Sequence, residues 1–163
     1  MWSGFSAKAG TRLFVLWALL FGSAFAVSAK NLAVVTPAAS RVDSVTLAEL
    51  AKLAKGTTKT WPDGKNFTLV LKDPDSDDMR VVVQKLFGMS SAELRQLAAK
   101  LNDSQPGHSY IRFVSSDAEV LQAVQGNPGA VGIVDVYSIT SAVKVIRVDG
   151  KLPFDPGYVF KAN

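Results

Sequence analysis

Residues 67–88 read FTLVLKDPDSDDMRVVVQKLFG and contain two segments with different hydrophobic periods. Phe67–Leu71 is mostly apolar and β-branched, which predicts a buried strand. From residue 78 to residue 87, apolar side chains recur at helical spacing, and Gly88 is suited to end the helix. The loop between them, called the aspartate loop below, carries four acids in six positions: Asp73, Asp75, Asp77 and Asp78. A strand, a short polar loop and a helix in succession are typical of an α/β sheet.

Strand and helix patterns alternate along the rest of the chain. Further strands are predicted at residues 31–36, 110–114, 130–134 and 143–148. Three further helices begin at capping boxes, in which a Ser or Thr and a Glu three residues later each accept a backbone N–H. The pairs are Thr46 with Glu49, Ser90 with Glu93, and Ser116 with Glu119. This alternation predicts an α/β fold with a mostly parallel sheet and helices on both faces.

The first 29 residues have the composition of a secretory signal peptide. Lys8 and Arg12 precede the apolar run Leu13–Phe21, and the small residues VSA at 27–29 offer a cleavage site. A cut after AFA at 24–26 is an alternative, and so is a retained membrane anchor. The apolar run, however, falls short of the roughly 20 residues that span a bilayer. We therefore expect a signal peptide at 1–29, a single domain at 30–163 and a periplasmic protein.

Composition excludes several classes of function. Removing residues 1–29 takes away two basic side chains and no acid, which leaves 134 residues with a net charge of +2. So mild a charge, with no basic stripe, argues against nucleic-acid binding. The absence of cysteine excludes thiol chemistry and cysteine-ligated metals. His108, the only histidine, lies in a loop without a neighbouring catalytic pattern, so neither an enzyme nor a cofactor is predicted.

Calcium binding is the weakest of three interpretations of the aspartate loop. Asp73, Asp75 and Asp77 match positions 1, 3 and 5 of an EF-hand loop. That loop needs Gly at position 6 and a bidentate Glu at position 12, where this chain has Asp78 and Gln84. A specific calcium site is therefore not expected.

The other two interpretations place the loop at the start of a helix. In one, Ser76 or Asp77 caps the helix, and the acids lie near the positive end of its dipole, where each contributes about 0.3–1 kcal/mol. In the other, the loop is an anion site, because α/β sheets bind ligands beyond the carboxyl ends of their strands. Several carboxylates would repel a fully ionised anion. Taken alone, the loop therefore favours capping.

Several stretches together resemble a known family. In chain order they are LAVVTP, LAELAKLAKGTTKTWPDGK, LFGMSSAEL, SSDAEVLQAVQGNPGAVGIVDV and VKVIRVDGKLP. Their order and spacing are similar to the substrate-binding proteins of bacterial phosphate ABC importers, and more closely to short, single-lobe exported proteins related to them. The resemblance covers about residues 31–153. It implies one lobe of a type II periplasmic binding protein, with a parallel α/β sheet.

The resemblance also implies a candidate ligand loop. In full-length relatives phosphate sits between two lobes, and a loop of the R-x-D-x-S-G-T type supplies much of the site. Here Ser76 matches that motif, Lys72 replaces its arginine without the planar fork, and acids replace its glycine and threonine. Arg80 is the nearest guanidinium, one turn inside the helix. The candidate ligand-binding residues are Lys72, Ser76, Asp77, Asp78 and Arg80.

Two functions compete at this point. The first is a phosphate-binding-protein-like domain that weakly binds an oxyanion, such as phosphate, or another small solute for transport or sensing. The second is a periplasmic interaction module that has kept the fold and lost the ligand. Its partner would be a membrane transporter or sensor complex, or a second copy of the chain. Aromatic residues of the C-terminal tail are candidate contacts for self-association: Phe154, Tyr158 and Phe160.

Overall fold

The computed structural model describes residues 30–162, and the predicted signal peptide lies outside them. Within these residues the chain forms eight strands and four α-helices. The strands are β1 (Lys30–Pro37), β2 (Ser44–Val45), β3 (Thr68–Lys72), β4 (Ile111–Val114), β5 (Ala130–Asp135), β6 (Val143–Val145), β7 (Arg147–Val148) and β8 (Lys161–Ala162). The helices are α1 (Leu47–Ala54), α2 (Met79–Val82), α3 (Ser91–Asp103) and α4 (Asp117–Gln125).

A six-stranded sheet forms the centre of the domain. Its main order is β4-β3-β5-β1-β6, and β8 pairs with the start of β1. β3 runs parallel to β4 and β5, whereas β1 runs antiparallel to β5, β6 and β8. Five of the six strands therefore share one direction, which confirms the predicted mostly parallel sheet. β2 and β7 form a separate parallel pair.

Helices cover both faces of the sheet, as the sequence predicts. On one face, α1, α2 and α3 pack against a cluster that includes Val34 of β1 and Leu69 of β3. On the other face, α4 packs against Val35 and Val70, the next residue along each of those strands. Successive strand residues point to opposite faces, so apolar runs such as that of β1 fill both clusters.

Two of the three predicted capping boxes form completely, at the starts of α1 and α3. At α4, Ser116 accepts the backbone N–H of Glu119 at 3.3 Å. The Glu119 carboxylate does not return a bond to Ser116. It accepts from the N–H of Ser115 at 2.9 Å and from the Ser115 hydroxyl at 3.0 Å. The second half of this box was therefore predicted wrongly, because Ser115 offers the carboxylate two donors.

The helix after the aspartate loop forms without the predicted side-chain cap. No side chain caps the start of α2. The Ser76 hydroxyl donates to the carbonyl of Asp73 at 2.7 Å, and the carbonyl of Ser76 accepts the N–H of Met79 at 3.0 Å. The prediction that Ser76 or Asp77 caps this helix is therefore wrong, because the loop closes through a backbone turn.

Two other element ends differ in detail from the sequence patterns. α2 passes into a π-helical turn, Val83–Phe87, before Gly88 ends it in the left-handed conformation at φ 65°. The strand predicted at 143–148 is divided into β6 and β7. Ile146 still donates to the carbonyl of Val34 at 2.9 Å, but the chain then leaves the main sheet to pair with β2.

The C-terminal tail contributes mainly to the core. Tyr158 and Phe160 are buried, with their ring centroids 6.1 Å apart. Phe154 is 63% exposed. The two buried rings are thus inaccessible to a second copy, and of the three tail aromatics only Phe154 can contact one. No helix within residues 30–162 is long and apolar enough to cross a membrane.

Candidate functional site

The carboxyl ends of β3, β4 and β5 meet at one edge of the sheet, called the carboxyl edge below. The aspartate loop follows β3, residues 115–116 follow β4, and the 3₁₀ turn Val136–Ser138 follows β5. β1 runs in the opposite direction, so its first residue, Lys30, also lies at this edge. In α/β sheets this is the edge at which ligands bind.

Lys72, the last residue of β3, lies between two carboxylates at the carboxyl edge. Its ammonium group contacts Asp78, just before α2, and lies 2.9 Å from Oδ1 of Asp117, the first residue of α4. The three side chains are 12%, 8% and 17% exposed, respectively. The Lys72–Asp117 contact is an ion pair rather than an aligned hydrogen bond. We call Lys72, Asp78 and Asp117 the lysine triad.

Two further groups surround the triad. The Ser138 hydroxyl donates to Oδ2 of Asp117 at 2.9 Å. The ammonium group of Lys30 lies 4.0 Å from the carboxylate of Asp78. Each carboxylate of the triad therefore has a second polar neighbour, and these neighbours come from β1 and from the turn that follows β5.

Charge pairing outweighs burial in the pKa values of Lys72 and Asp78. Burial lowers the pKa of Lys72, but its hydrogen bond to Asp78 and the negative charges of Asp117 and Asp78 raise it above its ordinary value. Burial raises the pKa of Asp78, but the hydrogen bond from Lys72, the nearby Ser76 and the charges of Lys72 and Lys30 bring it below its ordinary value. At neutral pH Lys72 and Asp78 therefore form a charged pair.

A second cation pairs with the outer part of the aspartate loop. The Arg95 guanidinium on α3 donates to Asp73 at 2.7 Å and to Asp75 at 2.9 Å, and the Ser91 hydroxyl also donates to Asp75. Hydrogen bonds from Ser91 and then Arg95 lower the pKa of Asp75. Two of the three aspartates in the EF-hand-like pattern are thus paired with the chain's own arginine. Over residues 30–162, no three side chains are grouped so that they could hold a metal ion.

The five candidate ligand residues separate into distinct environments. Lys72 and Asp78 come together within the triad. Asp77 and Arg80 point into solvent, 94% and 72% exposed, and form an ion pair at 3.3 Å. Ser76 uses its hydroxyl inside the loop. Among these five residues, an incoming anion would therefore meet one exposed guanidinium, that of Arg80, and a lysine already paired with carboxylates.

Sequence reasoning missed Asp117 and Ser138. Both belong to connections far along the chain from the aspartate loop. Only the pairing of β3 with β4 and with β5 brings these connections beside Lys72. The available signal was the position of Asp117, directly after the capping Ser116 in the first turn of α4. That signal becomes informative only once the strand order is known.

His108 lies on a different part of the domain. Its Nε2 is 3.0 Å from the carbonyl oxygen of Phe67 and 3.2 Å from Oγ1 of Thr68. A carbonyl oxygen only accepts, so Nε2 carries the hydrogen. The imidazole thus ties its loop to the start of β3, at the opposite end of this strand from Lys72. It also lines a groove of about 610 Å³ beside α4.

Comparison with known proteins identifies the fold. No protein-family model and no curated protein matches the sequence. The ABC-type phosphate transport receptor from Vibrio cholerae matches with a TM-score of 0.60 and 20% identity, over 77% of this chain and 48% of that one. PstS from Borrelia burgdorferi matches with a TM-score of 0.61 and 18% identity, over 83% and 55% of the two chains.

A third structure, the phosphate binding protein from Stenotrophomonas maltophilia, matches with a TM-score of 0.57 and 15% identity, over 77% of this chain and 40% of that one. The predicted likeness to phosphate ABC transporter binding proteins is confirmed at the level of the fold. The chain spans about half the length of these structures.

Proposed function

We propose that the chain is an exported domain, with the fold of one lobe of a solute-binding protein, that binds a protein partner and does not bind phosphate tightly. It is not an enzyme in this proposal. The observation that carries the proposal is the lysine triad, in which the ammonium group of Lys72 is already paired with Asp78 and Asp117. Solved structures with this fold are named as phosphate transport receptors and phosphate-binding proteins. This chain would therefore differ from those proteins in the residues at its carboxyl edge and not in its fold.

Phosphate would meet an unfavourable charge at this edge. With both acids ionised, the triad holds one more negative charge than positive. To reach Lys72, phosphate must displace a carboxylate or approach beside one. Like charges about 5 Å apart repel by roughly 3 kcal/mol at an effective dielectric constant of 20. We therefore expect a phosphate dissociation constant weaker than about 1 mM.

Isothermal titration calorimetry with inorganic phosphate at neutral pH tests this expectation on the protein purified after export. The expected result is no saturable heat in the micromolar range. Ser76→Ala is the matched control, because Ser76 is the one residue of this chain that agrees with the related phosphate motif. Micromolar binding by the native protein that Ser76→Ala abolishes would refute the proposal.

An exposed aromatic at the same edge supports a protein partner. Tyr137 is 87% exposed and is next to Ser138, whose hydroxyl contacts the triad. Tyrosine is enriched among the residues that dominate protein–protein binding energies. By analogy with the transport proteins of this fold, the proposed partner is a membrane transporter or sensor complex.

Site-specific photo-cross-linking in intact cells tests the partner. A photoreactive phenylalanine analogue at position 137 should form an adduct with a membrane protein, and the same analogue at Lys100, an exposed residue of α3, should not. The adduct at position 137 should be equally abundant in phosphate-rich and phosphate-poor medium. Equal adducts from both positions would contradict a specific interface at the carboxyl edge.

Weak oxyanion binding in the aspartate loop is the second candidate function. The exposed guanidinium of Arg80 favours it. The anion would be held by Arg80, Lys72, Ser76 and the backbone of Asp77–Asp78. Binding should strengthen as the pH falls towards about 5, because phosphate gains a proton and its repulsion by the carboxylates decreases. Calorimetry at neutral pH and at about pH 5 tests this, with Arg80→Met as the variant expected to weaken binding. Identical weak heats for native protein and variant would exclude a site at Arg80.

Export is proposed from residues 1–29, which have the composition of a signal peptide. Mass spectrometry of the periplasmic protein should find Lys30 at the amino terminus, or Val27 if the earlier cut is used. A protein that retains Met1 and fractionates with the inner membrane would contradict the proposed removal of this segment.

A further inference from the structure

The geometry points to an oxyanion site at the carboxyl edge that the chain fills itself, with the Asp117 carboxylate in the place of an external anion. This inference rests on the proposed function, because it explains why the edge would not respond to phosphate. Without these carboxylates the site would accept a small tetrahedral oxyanion, such as inorganic phosphate or sulfate.

Asp117 is held as a bound anion would be held. The Lys72 ammonium group lies 2.9 Å from one carboxylate oxygen, and the Ser138 hydroxyl donates to the other at 2.9 Å. These donors come from the end of β3 and from the turn after β5, so they converge on Asp117 from two parts of the sheet. A nearby ammonium charge and a hydroxyl donor are also groups that stabilise phosphate oxygens.

The charge count also distinguishes Asp117 from an ordinary structural partner. Asp78 alone would neutralise Lys72. Asp117 brings a second carboxylate to the same ammonium group, and its side chain is nearly as buried as that of Asp78. The ammonium group of Lys30, 4.0 Å from the carboxylate of Asp78, offsets part of this excess negative charge. It is paired with Asp78 rather than with Asp117. Asp117 therefore occupies the position of an extra anion bound by Lys72 and Ser138.

A functional consequence follows for the native protein. Because the internal carboxylate is tethered to α4, it competes with any free anion at a high effective concentration. The charge and shape of the carboxyl edge should then stay constant as phosphate varies. A partner that docks beside Tyr137 would meet the same surface in phosphate-rich and phosphate-poor conditions.

The test is to neutralise both carboxylates and measure binding of inorganic phosphate by nuclear magnetic resonance titration and calorimetry. Asp78→Asn/Asp117→Asn should bind phosphate at least about tenfold more tightly than the native protein, because Lys72 and Ser138 lose their internal ligand. Adding Lys72→Met to this variant should return the phosphate affinity to that of the native protein. Sulfate should show the same pattern as phosphate.

Asp73→Asn/Asp75→Asn is the matched control. It removes the same number of negative charges from the same edge, but it releases the partly exposed Arg95 instead of Lys72. We expect it to change phosphate affinity by less than about threefold. Equal gains in phosphate affinity in the two double variants would overturn the inference. The loss of two negative charges, rather than the release of Lys72, would then explain the tighter binding.

The phosphate affinity of the native protein shows which of the two proposals fails. Tight phosphate binding by the native protein would refute the proposed function. Weak binding by both the native protein and Asp78→Asn/Asp117→Asn would refute only the self-filled site. Thermal unfolding followed by circular dichroism checks that each variant folds. If the amide pair fails to fold, Asp78→Thr/Asp117→Ser replaces it, with the same expected gain and the same refuting outcome.

Discussion

Replacing Lys72 with methionine keeps the approximate length of the side chain and removes its charge. In the native protein the ammonium group contacts Asp78 and lies 2.9 Å from Asp117, in surroundings that are mostly buried. The variant would leave two partly desolvated carboxylates side by side. Lys30, 4.0 Å from Asp78, would be the nearest compensating charge in the described part of the chain.

The magnitude follows from distance and burial. Unit charges 2.9 Å apart attract by about 6 kcal/mol at an effective dielectric constant of 20. Desolvation offsets most of this attraction in the native protein, but the variant keeps the desolvation and loses the attraction. Removing one partner of a buried ion pair typically costs about 3–5 kcal/mol. Because the triad retains some exposure to water, we expect Lys72→Met to lower the free energy of unfolding by about 2–4 kcal/mol.

Urea unfolding at neutral pH measures this loss, with Arg95→Met as the matched control. Arg95 also contacts two aspartates, at 2.7 Å and 2.9 Å, but its side chain is 44% exposed. Exposed ion pairs contribute little to stability, and the guanidinium of Arg95, 5.7 Å from the centroid of the Phe113 ring, adds only a weak cation–π contact. Arg95→Met should therefore cost clearly less than Lys72→Met, with an unchanged slope against urea.

Two results would refute this reasoning. One is an equal loss in both variants, which would mean that burial does not strengthen the triad. The other is a loss below about 1 kcal/mol for Lys72→Met, which is the value of a surface pair. Asp117→Asn provides an internal check. It should cost less than Lys72→Met, because it removes the excess negative charge while Asp78 still pairs with Lys72.

Further predictions concern pH and the helix starts. The pKa of Asp78 is lowered in the folded protein, so its contribution to stability is complete above pH 3.8, the ordinary value, and is lost as the pH falls through the folded pKa. The difference in urea midpoint between the native protein and Asp78→Asn should therefore shrink only below this pH, and a constant difference would contradict the shift. Replacing a capping side chain with alanine should cost about 0.5–2 kcal/mol at each of three helices, and unchanged urea midpoints would contradict the observed caps. The variants are Thr46→Ala, Ser90→Ala and Ser116→Ala.

The fold class could be predicted because its signals are local. In α1, for example, Thr46 and Glu49 are only three residues apart, and their reciprocal bonds form as the sequence indicates. The apolar run of β1 likewise predicts a strand buried on both faces. Such patterns determine which segments become strands and helices, and the alternation of strands and helices then restricts the architecture.

The direction and termination of strands depended on contacts that no local pattern records. β1 runs antiparallel to its neighbours, although its sequence resembles that of the parallel strands. The segment 143–148 leaves the main sheet because β2, about a hundred residues earlier, offers β7 a partner. The burial of Tyr158 and Phe160 also depends on distant residues, because their rings pack into the core cluster of α1, α2 and α3.

The candidate site also depends on contacts between residues that are distant in the sequence, and this dependence leads to a final prediction. Asp77→Gly/Asp78→Thr restores two residues of the related phosphate motif, and from the sequence this change should improve phosphate binding. In the structure, Asp77 points into solvent, and the double change does not alter Asp117, which lies 2.9 Å from Lys72. We therefore expect less than about a threefold gain from the double change, and at least about a tenfold gain once Asp117→Asn is added. Calorimetry on both variants decides. If the double change alone binds phosphate as tightly as the triple change, Asp117 does not control Lys72, and the aspartate loop alone determines anion affinity.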